Sequence, residues 1–196
     1  MGRMIYIMGK SASGKDKIYR RLAGNEALGL KKTVLYTTRP IREKEVDGVS
    51  YWFVDEKRLS ELAEEGKVIE QRDYRTVHGI WSYATVDDGS VDLDASDYIA
   101  IGTLESYRKI RDYYGAERVL PIYIEVEDGE RLARALKREK KQEVPKYAEM
   151  CRRFLADCED FSEEKIAEAG IRKRYDNTGE LEDCLSEIQY DIINCL

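Results

Sequence analysis

The sequence predicts an α/β fold: a central parallel sheet flanked by helices, interrupted by a mixed α+β insertion and carrying a charged helical lid. Three observations predict it. The apolar run Met4-Ile5-Tyr6-Ile7-Met8 leads through a glycine-rich loop into a helical pattern at Ile18-Tyr19-Arg20-Arg21-Leu22, as a buried strand followed by a helix would. The order strand, helix, strand returns at 98–101, 103–114 and 119–126, which is the alternation of a parallel sheet with crossover helices. Residues 36–88 break that alternation with short strand patterns and one helix.

The first helix ends near Ala23-Gly24, with Gly29 beyond, and 32–38 reads as a second short strand. From Arg39-Pro40 to Asp47-Gly48 turn residues dominate, and 51–54 resumes as a strand. Asp55 can cap a helix that runs over Leu59, Leu62 and Ala63 and closes at Gly66. Strand patterns follow at 68–74 and 80–86. Beyond the core alternation, 128–169 is helix-like and charged, broken near Val144-Pro145; 172–175 reads as a last strand and 179–193 as a last helix. The expected division is a core of 1–35 and 89–196, with the lid at about 128–153, and an insertion of 36–88.

A chain of 196 residues can bury one sizeable core with small insertions, and its 42% hydrophobic and 37% charged content is that of an ordinary globular protein. No apolar stretch approaches the roughly 20 residues a membrane helix needs, and the N-terminus runs straight into the first strand. The expectation is a cytoplasmic protein without a membrane partner. A net charge of −6 argues against broad nucleic-acid binding, which needs a basic surface. Cys151, Cys158, Cys184 and Cys195 form no close CxxC pair and His78 is the sole histidine, which argues against zinc and leaves His78 as a loop residue.

The loop itself reads Gly9-Lys10-Ser11-Ala12-Ser13-Gly14-Lys15-Asp16, a phosphate-binding loop complete except for Asp16 in place of Ser or Thr. Glycines let backbone N–H groups approach phosphate oxygens, and Lys15 adds a point charge near the β and γ phosphates. Gly9, Ser11, Ala12, Ser13, Gly14, Lys15 and Asp16 are the expected ATP-binding residues. Asp16 can ligate Mg²⁺ as a hydroxyl would. Further on, Arg39 and Arg42 flank a proline-stiffened turn and could clamp a second phosphate with forked donors, with Tyr51 adding a hydroxyl. Residues 131–153 hold nine basic against three acidic side chains within an acidic protein, and Arg134 and Arg138 share a helical face.

The run from Tyr36-Thr37-Thr38-Arg39-Pro40 through Arg42, Glu45-Val46-Asp47-Gly48 and Tyr51 resembles the nucleotide-binding segment of guanylate kinases, at the expected distance after the phosphate loop. The resemblance covers roughly residues 4–195 and implies a P-loop kinase fold with a nucleoside-monophosphate-binding insertion. It assigns Arg39, Arg42 and Tyr51 to the acceptor phosphate and Glu70 to the guanine base. A carboxylate suits that base, because it accepts from the ring N–H and exocyclic amine that adenine does not pair together. Tyr83 is the candidate for a further phosphate-contacting hydroxyl, with Thr85 behind it. By resemblance Arg134 and Arg138 are lid arginines, Arg153 (or Arg152) reaches back from the next helix, and Asn177 lies near the ATP adenine.

Against the family pattern, Leu35 stands where a serine is expected, and Ala100 and Gly102 stand where two aspartates end a strand. Asp16 is then expected to restore a carboxylate to the metal shell, with Asp87 and Asp88 as fallback ligands. The resemblance implies phosphoryl transfer from ATP, with Mg²⁺, to a GMP-like acceptor, with Lys15, Arg39, Arg134, Arg138 and Arg153 as catalytic residues in a monomer or homodimer. The alternatives are a kinase for another phosphorylated small molecule and a non-catalytic phosphopeptide-binding module of the same fold.

Overall fold

A computed structural model describes residues 2–76 and 79–195, the side chains of Thr76 and Cys195 excepted, so the expectation for His78 lies outside the described residues. Strand β1 (Met4–Met8) is buried along its whole length. Met4, Tyr6 and Met8 pack into one apolar layer with Tyr98, Leu104, Tyr107 and Ile110. Ile5 and Ile7 pack into the other with Ile18, Leu22, Ile99, Ile122 and Ile188. Alternate side chains thus feed two cores, as in a parallel sheet covered on both faces.

That sheet has the order β2-β7-β1-β8-β9, where β2 is Lys31–Lys32, β7 is Tyr98–Gly102, β8 is Val119–Glu125 and β9 is Arg174–Asp176, and every pairing is parallel. Helix α1 (Lys15–Ala23) follows β1, and α3 (Leu104–Tyr114), capped by Thr103, joins β7 to β8. A second sheet, β4-β3-β6-β5, is built from β3 (Tyr36–Thr37), β4 (Trp52–Phe53), β5 (Val68–Thr76) and β6 (Gly79–Val86). Helix α2 (Glu56–Glu64), capped by Asp55, covers it with Leu59 and Leu62 against Ala84 and Val86.

The single strand expected at 32–38 is two strands in two sheets. Lys31–Lys32 pairs with β7, whereas Tyr36–Thr37 pairs with β4 and β6, so the chain leaves one sheet for the other at 33–35. The charged segment is likewise three helices: α4 (Asp128–Glu139), α5 (Tyr147–Asp160) and α6 (Glu163–Glu168). The break at Val144-Pro145 is joined by a second, where the Ser162 hydroxyl accepts from the Lys165 N–H and starts α6. Helix α7 (Leu181–Cys195) closes the chain. Among the described residues no helix is long and apolar enough to cross a membrane.

Candidate active site

Strand β1 delivers Gly9 to the end of the sheet, and Gly14, at φ 87°, turns the chain into α1. A Cβ at Gly14 would stand 2.4 Å from the Asn177 amide nitrogen, so left-handed backbone and close approach both demand glycine there. Asn177 is buried, and its amide donates to the Ser13 carbonyl at 2.7 Å. It braces the loop from within and also lines a cavity of about 740 Å³ with Ala12, Gly14, Asp16, Arg134 and Arg138. Ser13 Oγ is buried without a hydrogen-bond partner among the described residues.

Lys15 begins α1, and its ammonium is 3.9 Å from Asp16, which is itself 70% exposed. Burial pulls the Lys15 pKa below its ordinary value; Asp16 and Asp157 oppose the shift, and the cations Arg153 and Arg138 add to it. Positive groups of α4 and α5 therefore act on Lys15 at the start of α1, an arrangement that suits a polyphosphate. Arg138 and Arg153 have no side-chain partner among the described residues, whereas Arg152 is turned away onto Glu149 at 2.7 Å. Arg134 donates to Glu130 at 2.8 Å and to the Thr178 carbonyl at 2.9 Å.

The basic count of the lid concealed a brace. Arg131 is buried, stacks at 4.0 Å on Phe154, and donates to Asp128 at 3.1 Å, to Asp157 at 3.2 Å and to the Ser11 carbonyl at 3.4 Å. Asp157 in turn accepts from the Ser11 N–H at 2.8 Å. These two residues fix the α4–α5 pair to the phosphate loop. Nothing in the local sequence separates Arg131 from its solvated neighbours, because its partner Asp157 lies 26 residues on.

The insertion gathers the acceptor candidates. Arg39 is buried, donates to the Tyr83 hydroxyl at 3.1 Å and the Pro40 carbonyl at 2.9 Å, and forks onto Glu45 at 2.7 and 2.5 Å. The Tyr51 ring lies 5.0 Å beneath its guanidinium and 5.7 Å from the Tyr83 ring. Arg39 holds the Glu45 carboxyl down to about 2. Glu45 also accepts from the Arg42 N–H at 2.9 Å, while the exposed Arg42 side chain makes no hydrogen bond among the described residues and acts on Glu45 through its charge. Glu45 belonged to the recognised motif, yet its role as the holder of Arg39 appears only in three dimensions.

Glu70 is buried two residues before Arg72 on β5, and both stand opposite Thr85 and Tyr83 of β6. The Glu70 carboxylate takes two hydrogen bonds from Arg72, at 3.0 and 3.2 Å, and one from Thr85 at 2.9 Å. Gly102 has a physical reason as well. The Tyr6 hydroxyl, bonded to Ser106 at 2.7 Å, lies 2.1 Å from where a Cβ at 102 would stand. A tyrosine of β1 thus fills the space of a missing side chain, and burial raises its pKa. Asp87 and Asp88 accept from Tyr113 at 2.5 Å and Tyr36 at 2.7 Å, bonds that tie the insertion's exit to the core and to β3.

Among the described residues no three His, Cys, Asp or Glu side chains could hold a metal ion by themselves. Mg²⁺ fits nonetheless, since it is ordinarily held by one or two carboxylates with waters and substrate phosphates, and Asp16 stands open at the mouth of the loop.

A family model described as guanylate kinase matches residues 1–163. The chain is similar to guanylate kinases of Symbiobacterium thermophilum (33% identity over 54% of this chain and 52% of that protein), Neisseria gonorrhoeae (35% over 51% and 46%) and Rhodopseudomonas palustris (41% over 35% and 31%). It thus spans about a third to a half of the length of these curated relatives. A crystal structure of guanylate kinase from Anaplasma phagocytophilum shares the fold, with a TM-score of 0.59 at 19% identity over 98% of this chain and 85% of that one.

Proposed function

The chain belongs to the guanylate kinase family, and from that premise we propose that it transfers the γ-phosphoryl group of ATP to guanosine monophosphate, giving GDP and ADP. One observation carries the reading: Arg134 and Arg138 of α4 line one cavity with Ala12, Gly14 and Asp16 of the phosphate loop, and the charges of Arg138 and Arg153 act on Lys15. Phosphoryl transfer needs little covalent chemistry from a protein and much positive charge fixed around the moving group.

Backbone N–H groups of Ala12, Gly14 and Lys15 and the α1 N-terminus would hold the ATP phosphates, with Arg134 and Asn177 in the cavity beside them. Lys15, Arg138 and Arg153 would carry the charge of the transferred group. Across the cleft Arg39, Arg42, Tyr51 and Tyr83 would grip the acceptor phosphate, and Glu70 would read the base. Magnesium, when bound with ATP, supplies a divalent charge on the phosphates, with Asp16 as its protein carboxylate. Unchanged Mg²⁺ affinity in both Asp16→Ser and Asp16→Ala would remove that assignment. One chain supplies every group, so a monomer suffices, and the cytoplasm holds both substrates. We further take 36–88 as the acceptor-binding unit and 128–153 as the lid.

The test is steady-state phosphorylation of GMP, dGMP, AMP, CMP and UMP with MgATP. Turnover confined to the guanine nucleotides supports the reading. Turnover of none, in a protein whose melting temperature rises with ATP, supports a kinase for another phosphorylated molecule; Leu35, Ala100 and the covered Glu70 favour that rival. Absence of any ATP-induced rise supports the binding module instead.

A further inference from the structure

Glu70 and Arg72 share one face of β5 because strand side chains repeat every two residues. The Glu70 side chain is 1% exposed and that of Arg72 15%, so the carboxylate that would read the base is covered by a neighbour in its own strand. The covering is specific in form. Arg72 Nε donates to one carboxylate oxygen at 3.0 Å and Nη2 to the other at 3.2 Å, a planar pair of parallel N–H donors.

Guanine presents a pair of the same kind. Its N1–H and exocyclic N2–H flank one carbon, so the N1–C2–N2 edge is chemically a guanidine. The two groups therefore compete for one carboxylate edge, and bidentate binding of either excludes the other. Thr85, bonded to Oε1 at 2.9 Å, is compatible with both. A buried carboxylate without a partner is costly, so Arg72 keeps the pocket neutral while no acceptor is bound. When displaced, its guanidinium has somewhere to go: Arg72 lines a cleft of about 740 Å³ with Asp73, Glu105, Asp112 and Asp160.

We propose that Arg72 sets the affinity of the acceptor site for its base, as a resident competitor for Glu70 that a base displaces by presenting two parallel N–H donors. This rests on the reading of the acceptor as a guanine nucleotide. Displacement by GMP must overcome the Arg72 contact, which weakens GMP binding. An adenine nucleotide gains nothing by displacing it.

The test is KM and kcat for GMP and AMP in wild type, Arg72→Lys and Arg72→Gln, with melting temperatures as the control for folding. Lysine keeps the charge but cannot fork, so Arg72→Lys is expected to lower KM for GMP about tenfold, the scale of one charge-assisted hydrogen bond. Its kcat should stay within twofold and its KM for AMP unchanged. Arg72→Gln should lower KM for GMP as well, and millimolar guanidinium should then inhibit it competitively against GMP while leaving the wild type unaffected. Turnover of GMP by Arg72→Lys from an inactive wild type would support the proposal most strongly. Wild-type turnover with an unchanged or raised KM in the folded variants overturns this proposal alone. No GMP turnover in either protein overturns it together with the function on which it rests.

Discussion

Under the function proposed, the site has a donor half at the phosphate loop and an acceptor half in the insertion, and the two hold their positive charge in opposite ways. On the donor side Lys15 has no carboxylate nearer than 3.9 Å, and Arg138 and Arg153 have no side-chain partner among the described residues. On the acceptor side Arg39 and Arg72 are each forked onto a carboxylate, Glu45 and Glu70. The donor half holds Lys15, Arg138 and Arg153 with no carboxylate forked onto them among the described residues, on a rigid mount and ready for an anion. In the acceptor half Arg39 and Arg72 are already paired before any ligand arrives, while Arg42 stands exposed, so what binds at either pair must reorganise it. Donor affinity should therefore respond chiefly to the loss of charge, and acceptor affinity to the loss of pairing.

The largest expected effect comes from removing the central donor charge. Lys15→Met should cut kcat roughly 10²- to 10³-fold, the usual cost of losing one preorganised stabilising group in such a site. Its melting temperature should hold, because Lys15 braces nothing. A stability loss as large as the activity loss would break the contrast between a charge-storing donor half and a self-paired acceptor half. Arg131→Met tests the mount. Removing one partner of a buried ion pair costs about 3–5 kcal/mol, which for a chain of this size lowers the melting temperature by roughly 10 °C.

Gly102→Ala should cost about 1–3 kcal/mol, because the added Cβ meets the Tyr6 hydroxyl, which Ser106 holds in place and which cannot simply swing aside. Pairing it with Tyr6→Phe should recover part of the loss. Strict additivity in that double-mutant cycle would show that the two positions do not share the space.

Sequence reasoning reached the parts of this molecule that are local. The buried run of β1, the glycine turn and the Asp55 cap act within a few residues, and each is written in residue type and spacing. The pattern at 32–38 misled because Val34 and Leu35 keep an apolar strand pattern unbroken, whereas the change of sheet depends on which distant strand offers the hydrogen bonds. The candidate site shows the same division. Arg39, Glu45 and Tyr51 are visible as a motif, but the hold of Glu45 on Arg39 is a matter of side-chain geometry. Arg131 is one lid arginine among several until Asp157 and Phe154 are brought against it. Arg72 was the most accessible omission, since a period of two already sets it beside Glu70.

The smallest effect is the most direct test of pairing in the acceptor half. Glu45 fixes Arg39 so that its guanidinium lies over the Tyr51 ring with Nε toward Tyr83. Glu45→Gln keeps the shape and removes the charge, so Arg39 should lose orientation rather than charge. KM for GMP is expected to rise several-fold, with kcat and KM for ATP nearly unchanged. The pH dependence has a definite sign. The Glu45 carboxyl is held near 2 in the folded chain, below its ordinary value of 4.5. The stability it contributes is therefore complete above that ordinary value and is lost as pH falls from there toward 2. Urea unfolding of wild type and Glu45→Gln should show their stability difference shrinking over that window. A difference that stays constant from pH 6 to 3 would mean that Arg39 is held by its aromatic neighbours, and that the acceptor half is paired in form without depending on the pair.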